Sequence, residues 1–395
     1  MVSEEDKYLA NVYQRFPITL VKGKGAKVWD SSGREYIDCM GGYGVALVGH
    51  CNDKVVKAIK EQVERLITCH SSCYNDARLA FLQKLISVAP KGLNKVYLSN
   101  SGAEAAEAAI KIARKYTKKH GIVAMVGSFH GKTMGALSIT YAQKYREAFA
   151  PLLEGMKFVP FGDATKLLNA IDDTTGAVFV EPVQGESGIH VAPDGYLQKV
   201  REICDSKGIA LIFDEIQSGL GRTGKLWAGE NWNVTPDIMC LAKGIAGGVP
   251  MGATLARQEM MDALKLGEHS STFGGNPLAC AAGRAALECI TDDGLVNNAS
   301  SIGKYFKEGL LALKDKHKII REVRGLGLML AAELRFEVKD VLLDGIKEGL
   351  LMLYSGKNII RLLPPLVIDE HLVSNALSIM DKVLSKEEGR RNVQS

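Results

Sequence analysis

The sequence predicts an α/β protein built on a mostly parallel sheet, with a smaller α+β domain attached. Three features of the chain carry that prediction. From about residue 95 to 260, short apolar segments alternate with helical ones. Such alternation puts parallel strands in one sheet with crossover helices on both faces. Two of the segments, Ala210–Phe213 before Asp214 and Ile238–Ala242 before Lys243, are apolar throughout and stop at a single charge. Runs of this length bounded by turn signals read as strands buried on both faces. After about residue 275 the rhythm changes to long helical stretches with short strands between them, and 395 residues exceed one typical core.

Taken in order, Ala26–Trp29 and Glu35–Asp38 flank the turn residues Asp30-Ser31-Ser32-Gly33, which predicts a hairpin. Gly41-Gly42-Tyr43-Gly44 marks an irregular crossing. Val55, Val56, Ile59, Val63 and Leu66 recur at helical spacing, with Asn52 or Asp53 as the cap. Central strands are expected at Lys95–Leu98, Ile122–Val126, Ala177–Val180, Ala210–Phe213, Ile238–Ala242 and Gly252–Ala256, and helices at Ala103–Lys118 and Tyr196–Lys207. Helices at Pro277–Thr291 and Val296–Lys316 follow, then strands near Ile319–Val323 and Leu328–Leu334. A helix at Val338–Glu348, a strand at Ile359–Leu362 and a helix from Asp369 to about Lys386 complete the chain. The charged tail Glu387–Ser395 is expected to fray. These elements divide into an N-terminal arm (1–50) belonging to the small domain, a large domain (51–295) and a C-terminal small domain (296–395).

Apolar content of 46% and charged content of 24% are those of an ordinary globular protein. The net charge of +4, from 49 basic and 45 acidic side chains, gives no argument for nucleic acid or a membrane surface. It leaves room for an acidic partner. The eight cysteines form no Cys-x-x-Cys pair. Cys69-His70-Ser71-Ser72-Cys73 comes nearest to a metal site and lacks a second ligand pair, so no metal is expected. The opening Met1-Val2-Ser3-Glu4-Glu5-Asp6 is acidic, unlike a signal peptide, and no apolar run reaches transmembrane length. The expectation is a cytoplasmic protein.

In an open α/β sheet, ligands bind beyond the carboxyl ends of the strands, so Asp214 and Lys243 would project into one crevice. The amine can form a Schiff base with a pyridoxal cofactor, and the carboxylate can keep the pyridine nitrogen protonated. A strand-end salt bridge uses the same two residues. Leu98-Ser99-Asn100-Ser101-Gly102-Ala103-Glu104 runs from a strand through small residues into an Ala-rich helix. Free N–H groups and the helix dipole there can cup a phosphate, or the segment is simply a cap. After the next strand, Phe129 either stacks on a flat ring or packs in the core. His130 is a proton carrier or a structural histidine, and Lys132 a carboxylate anchor or a solvated charge. Glu181 and Glu186 end another strand; paired carboxylates can serve acid–base work, and Glu186 as a substrate-facing switch and Glu181 as a structural contact both stay open. Ser270-Ser271-Thr272 precedes a helix and offers hydroxyls for a phosphate or a cap. Arg361 sits alone in an apolar run and requires a carboxylate partner from the protein or from a substrate.

The combination resembles the class III aminotransferases, the ornithine, acetylornithine and 4-aminobutyrate group of fold-type I pyridoxal-phosphate enzymes. The likeness runs from about Phe16 to Ile368. It is most specific in Asp214-Glu215-Ile216-Gln217-Ser218-Gly219-Leu220-Gly221-Arg222-Thr223-Gly224 followed by Lys243. Within the family the acetylornithine branch is nearest, which includes enzymes acting on carrier-protein-bound amino acids in arginine and lysine synthesis. The resemblance implies a role for each residue. Lys243 would hold pyridoxal 5'-phosphate covalently and shuttle a proton, Asp214 would pair with the ring nitrogen, and Gln217 would touch the phenolic oxygen. Ser101, Gly102 and Ala103 would bind the phosphate, joined by Thr272 of the partner subunit. Phe129 would stack on the ring, Ser271 and Lys132 would contact substrate, and Glu186 with Arg361 would act as a gate. The gate pairs for the amine donor and parts for 2-oxoglutarate.

One departure stands out. The family usually has Arg where this chain has Lys132, and Lys offers one mobile point charge in place of a two-pronged grip. The resemblance therefore implies a homodimer with shared active sites. It would move the terminal amine of an N-blocked ornithine or lysine to 2-oxoglutarate, with an acidic amino-group carrier protein as a further candidate partner. A 4-aminobutyrate or free-ornithine transaminase, an aminomutase or racemase, and a non-catalytic binding relative are the competing readings. The gate residues speak against aminomutase and racemase, and the pair Asp214 and Lys243 against a dead relative. No Gly-x-x-x-x-Gly-Lys-Ser/Thr supports nucleotide binding.

Overall fold

The computed structural model describes residues 2–392. Its centre is a sheet of seven strands in the order Lys95–Ser99, Gly252–Ala256, Ile238–Leu241, Ala210–Asp214, Thr175–Val180, Gly121–Met125 and Met156–Val159. All neighbours are parallel except those of Gly252–Ala256, which runs antiparallel to both strands beside it. The strands Gly121–Met125, Thr175–Val180, Ala210–Asp214 and Ile238–Leu241 are buried along their whole length, which is why they read as unbroken apolar runs.

Alternate residues of these strands serve opposite faces. Ala124, Phe179 and Ile212 join one core with helix Gly102–Thr117, while Val123, Val178, Leu211 and Phe213 join another with helix Tyr196–Lys207. The first helix presents Ala105, Ala106 and Ala109 to the sheet, and their lack of bulk brings its axis close. Truncating a fully buried side chain such as Leu211 to Ala costs about 2–5 kcal/mol here.

The hairpin Lys27–Asp30/Glu35–Asp38 is present, and Leu20–Lys24 extends it. Leu350–Leu351 joins its other edge in parallel. Asn52, rather than Asp53, caps helix Asp53–Val63, accepting from the Lys54 N–H at 3.0 Å and the Val55 N–H at 3.4 Å. The C-terminal part holds an antiparallel sheet ordered Ile320–Leu326, Met329–Leu334, Ile359–Leu362 and Leu353–Ser355. Helices Leu295–Lys316, Lys339–Glu348 and Glu370–Arg391 accompany it.

The chain end departs from expectation. The last helix continues to Arg391, and Glu387 and Glu388 are buried at 1% and 6% exposure. Both have partners: Glu387 pairs with Arg390 (2.9 Å) and Arg391 (2.7 Å), and Glu388 hydrogen-bonds with His317 (2.8 Å). Buried Asp344 ties the preceding helix to this one through Lys386 at 2.9 Å and through Arg390. The remainder of the predicted frayed tail, residues 393–395, lies outside the described residues. Among the described residues no helix is long and apolar enough to cross a membrane.

Candidate active site

The strand ends converge on a cavity of about 440 Å³. It is lined by Ser101, Gly102, Ala103, Phe129, Asp214, Gln217, Glu186 and Lys243 from the expected set, together with Asn100, His130, Glu181 and Met251. The pairing of Ala210–Asp214 with Ile238–Leu241, in register Asp214↔Cys240, brings Asp214 and Lys243 to the same edge of the sheet. Lys243 takes a left-handed backbone (φ 49°), an unfavourable state for a side-chain-bearing residue costing about 1–2 kcal/mol. It is partly exposed to the cavity. Desolvation lowers its ammonium below the ordinary lysine range, while Glu186, Asp214 and Glu181 pull it back and Arg361 adds to the lowering. An amine more readily deprotonated than usual can act as a nucleophile and a base.

Asp214 is 4% exposed and held on two sides. One oxygen accepts from the Ile216 N–H at 3.0 Å, and the other meets His130 Nδ1 at 2.7 Å. His130 is itself buried against the ring of Phe179, with centroids 4.4 Å apart. The sequence alone could not decide between proton carrier and structural histidine; the structure makes His130 the neighbour that fixes the Asp214 carboxylate.

Ser101 caps helix Gly102–Thr117, its Oγ accepting from the Glu104 N–H at 3.2 Å. The Ala105 N–H goes to the Ser101 carbonyl. The first amides, of Gly102 and Ala103, have no carbonyl within the helix and open on the cavity at its positive end. A Cβ at position 102 would lie 2.9 Å from Ile216 Cδ1, so a larger residue here would make the Ile216 side chain give way. Asn100 Nδ2 bonds both Glu104 (3.1 Å) and Ser271 Oγ (3.1 Å), so Ser271 reaches the site through Asn100.

Arg361 comes from strand Ile359–Leu362 and is completely buried. Its Nη1 meets Glu186 Oε1 at 2.6 Å and the Gly185 carbonyl at 3.2 Å. Nε and Nη2 are buried with no partner. Burial alone would raise the Glu186 carboxyl, but the Arg361 charge and hydrogen bond outweigh it and hold the group below the ordinary range. The main chain around Glu186 is anchored: Ser355 Oγ donates to the Glu186 carbonyl at 2.5 Å, and Arg324 Nε to the Gly188 carbonyl at 2.8 Å. The Glu186 side chain itself is 33% exposed. Tyr43 places its ring 5.8 Å from the Arg361 guanidinium, from a left-handed turn (φ 62°) that the sequence marked only as an irregular crossing.

Four expected residues do not line the cavity: Ser271 and Arg361, which reach it through Asn100 and Glu186, and Lys132 and Thr272. Lys132 is exposed, its ammonium 4.9 Å from the ring of Tyr145, which in turn meets Phe129 edge-on at 5.9 Å. Thr272 is exposed. Among the described residues, no group of three or more His, Cys, Asp or Glu side chains could hold a metal ion. The donor set fits pyridoxal phosphate part by part. It offers an amine for the aldehyde, a fixed carboxylate for the ring nitrogen, an aromatic face, and helix-end N–H groups for the phosphate. Gln217 Oε1, buried without a partner, is free to take part in a further polar contact.

Known proteins resemble this chain over nearly its whole length. Residues 8–384 match the family model Aminotransferase class-III. The acetylornithine aminotransferase of Caldanaerobacter subterraneus subsp. tengcongensis is 46% identical over 393 residues, covering 98% of this chain and 99% of that protein. That of Methanopyrus kandleri is 49% identical over 375 residues, with 94% and 96% covered. Among solved structures, the ornithine aminotransferase of Toxoplasma gondii ME49 superposes with a TM-score of 0.95 at 35% identity, covering 98% of this chain and 95% of that one.

Proposed function

The chain belongs to the class III aminotransferases and is a pyridoxal-phosphate-dependent aminotransferase, and we propose that it moves the terminal amine of an N-blocked ornithine, acetylornithine foremost, to 2-oxoglutarate. The names of its relatives support that donor. So does chemistry, because a semialdehyde bearing a free α-amine cyclises, and an N-blocked one does not.

Pyridoxal phosphate, when bound, supplies an aldehyde that takes the amine and a protonated ring that accepts the electron pair left by a broken carbon–hydrogen bond. The protein's residues do the rest. Lys243 Nζ would hold the aldehyde and take up and return the donor carbon's proton. Asp214, steadied by His130, would keep the ring nitrogen protonated. Phe129 would shield the ring from water, and the Gly102 and Ala103 N–H groups would hold the phosphate. Glu186 neutralises Arg361 while the amine donor is bound. When Glu186 turns away, the Arg361 guanidinium, Nη1 included, would meet a carboxylate of 2-oxoglutarate in a two-pronged grip.

The observation that carries this reading is the Arg361–Glu186 pair at 2.6 Å, with the rest of the guanidinium buried and unsatisfied. One site can serve two substrates of different charge only if such a charge can be uncovered. A second reading, free ornithine as donor, draws on the likeness to the Toxoplasma gondii enzyme. A carrier-bound ornithine or lysine is a third, motivated by Lys132 lying off the cavity. The subunit is proposed to work as a homodimer in arginine or lysine synthesis, with Thr272 of the partner subunit completing the phosphate site. The exposed Leu66, Ile67, Tyr74 and Phe273 offer apolar surface for that contact. A single-turnover screen of these amines against the cofactor-loaded enzyme decides among them. Acetylornithine should react fastest; a faster reaction with free ornithine reverses the assignment.

A further inference from the structure

Glu181 has no role in the account so far, yet it lines the cavity and is only 6% exposed. It follows strand Thr175–Val180, whose register Val180↔Phe213 sets it beside Asp214. Its two oxygens serve two different loops. Oε2 accepts from the Phe129 N–H at 3.2 Å, and Oε1 from the Gly185 N–H at 3.2 Å. A second strut runs alongside, from Gln184 Nε2 to the Val126 carbonyl at 3.0 Å. The Gly185 peptide also passes close to Gln217, where an added Cβ would lie 2.2 Å from Oε1.

Burial and the Asp214 charge push the Glu181 carboxyl well above the ordinary range, against the pull of the two N–H groups and of Lys243. An aliphatic side chain would avoid that cost but would leave both N–H groups without an acceptor. The geometry therefore explains the residue type by its two acceptors.

We propose that Glu181 is a positioning residue, a single buried carboxyl that holds the Phe129 face and the Glu186 switch at a fixed spacing across the cavity. The proposal rests on the roles given above to Phe129 and Glu186. Without the clamp, only the Gln184–Val126 strut ties the loop after Gly121–Met125 to the loop after Val183–Gln184. The ring platform and the carboxylate gate then lose their common register, although neither residue has been altered.

Glu181→Gln keeps the volume and one acceptor but turns an amide NH₂ toward the other N–H. In the cofactor-loaded variant, the visible circular dichroism of the bound cofactor should fall and its Kd rise about fivefold, the factor expected for one buried hydrogen bond. The ratio of the amine-donor to the 2-oxoglutarate half-reaction rate should shift by about the same factor. A double-variant cycle between Phe129→Leu and Glu186→Gln should show coupling in the wild-type background and clearly weaker coupling with Glu181→Gln. A lowered Tm with dichroism, cofactor Kd, half-reaction ratio and coupling all unchanged would make Glu181 merely structural and overturn the proposal. If the Gln variant does not fold, Glu181→Asp, one methylene too short to span both loops, is read in the same way. Should Phe129→Leu and Glu186→Gln alone leave every readout untouched, the site assignment itself has failed, and the clamp with it.

Discussion

Removing Glu186 tests the gate most directly. In the resting arrangement its carboxylate sits 2.6 Å from Arg361 Nη1, and the guanidinium is wholly buried. 2-Oxoglutarate must displace that carboxylate before it can use the charge. A hydrogen bond to a charged group contributes about 1.5–3 kcal/mol, so the displacement costs on that order. In Glu186→Ala the cost is gone, and each 1.4 kcal/mol is about tenfold in affinity. The KM for 2-oxoglutarate should therefore fall by about tenfold or more. The amine-donor half should slow by about tenfold or more, because the exposed Arg361 captures the donor's carboxylate in the wrong pose. The assay is rapid mixing of the cofactor-loaded enzyme with donor alone, then of the aminated enzyme with 2-oxoglutarate, following cofactor absorbance. Equal losses in the two halves would refute the gate and leave Glu186 as a structural partner of Arg361.

Three further outcomes are expected. Lys243→Ala should lose the borohydride-stable attachment of the cofactor, read by intact mass, and retain no more than a trace of turnover. Glu215 is buried, and desolvation raises its carboxyl to about 7 despite N–H bonds from Ala228 (2.6 Å) and Gly229 (2.9 Å). The sign follows from linkage: the folded state binds the extra proton, so stability from this group is full below the ordinary carboxylate pKa and is lost as pH rises through about 7. Across that window the wild type should lose about 3 kcal/mol relative to Glu215→Gln in denaturant titrations, and a pH-independent difference would contradict the burial argument. Lys132→Arg should change the KM for free acetylornithine by up to about tenfold and leave that for a carrier-bound amine nearly unchanged. Equal effects on both donors would remove Lys132 from donor recognition.

How much of this was legible in the chain depended on how local the signal was. Ala210–Phe213 and Ile238–Ala242 announced themselves because strands buried on both faces leave no polar residue to interrupt the run. Met156–Val159 escaped because it is an edge strand, half-buried and carrying Lys157. Helix Asp76–Val88 escaped too, although Asn75 caps it by accepting from the Arg78 N–H. Asp214 and Lys243 were legible as chemistry, since each ends an apolar run. The Asp214–His130 contact spans 84 residues and the Arg361–Glu186 pair 175, and no spacing rule reaches so far. The two-loop grip of Glu181 was invisible for the same reason, as was the pairing that buries Glu387 and Glu388.

Ser355, which holds the Glu186 carbonyl, lies on the strand that pairs directly with the strand of Arg361. Latch and keeper are thus mounted on one sheet. A movement that shifts this sheet as a unit therefore shifts both anchors together. Discrimination between the two reactants should accordingly persist as temperature rises, until that sheet itself melts.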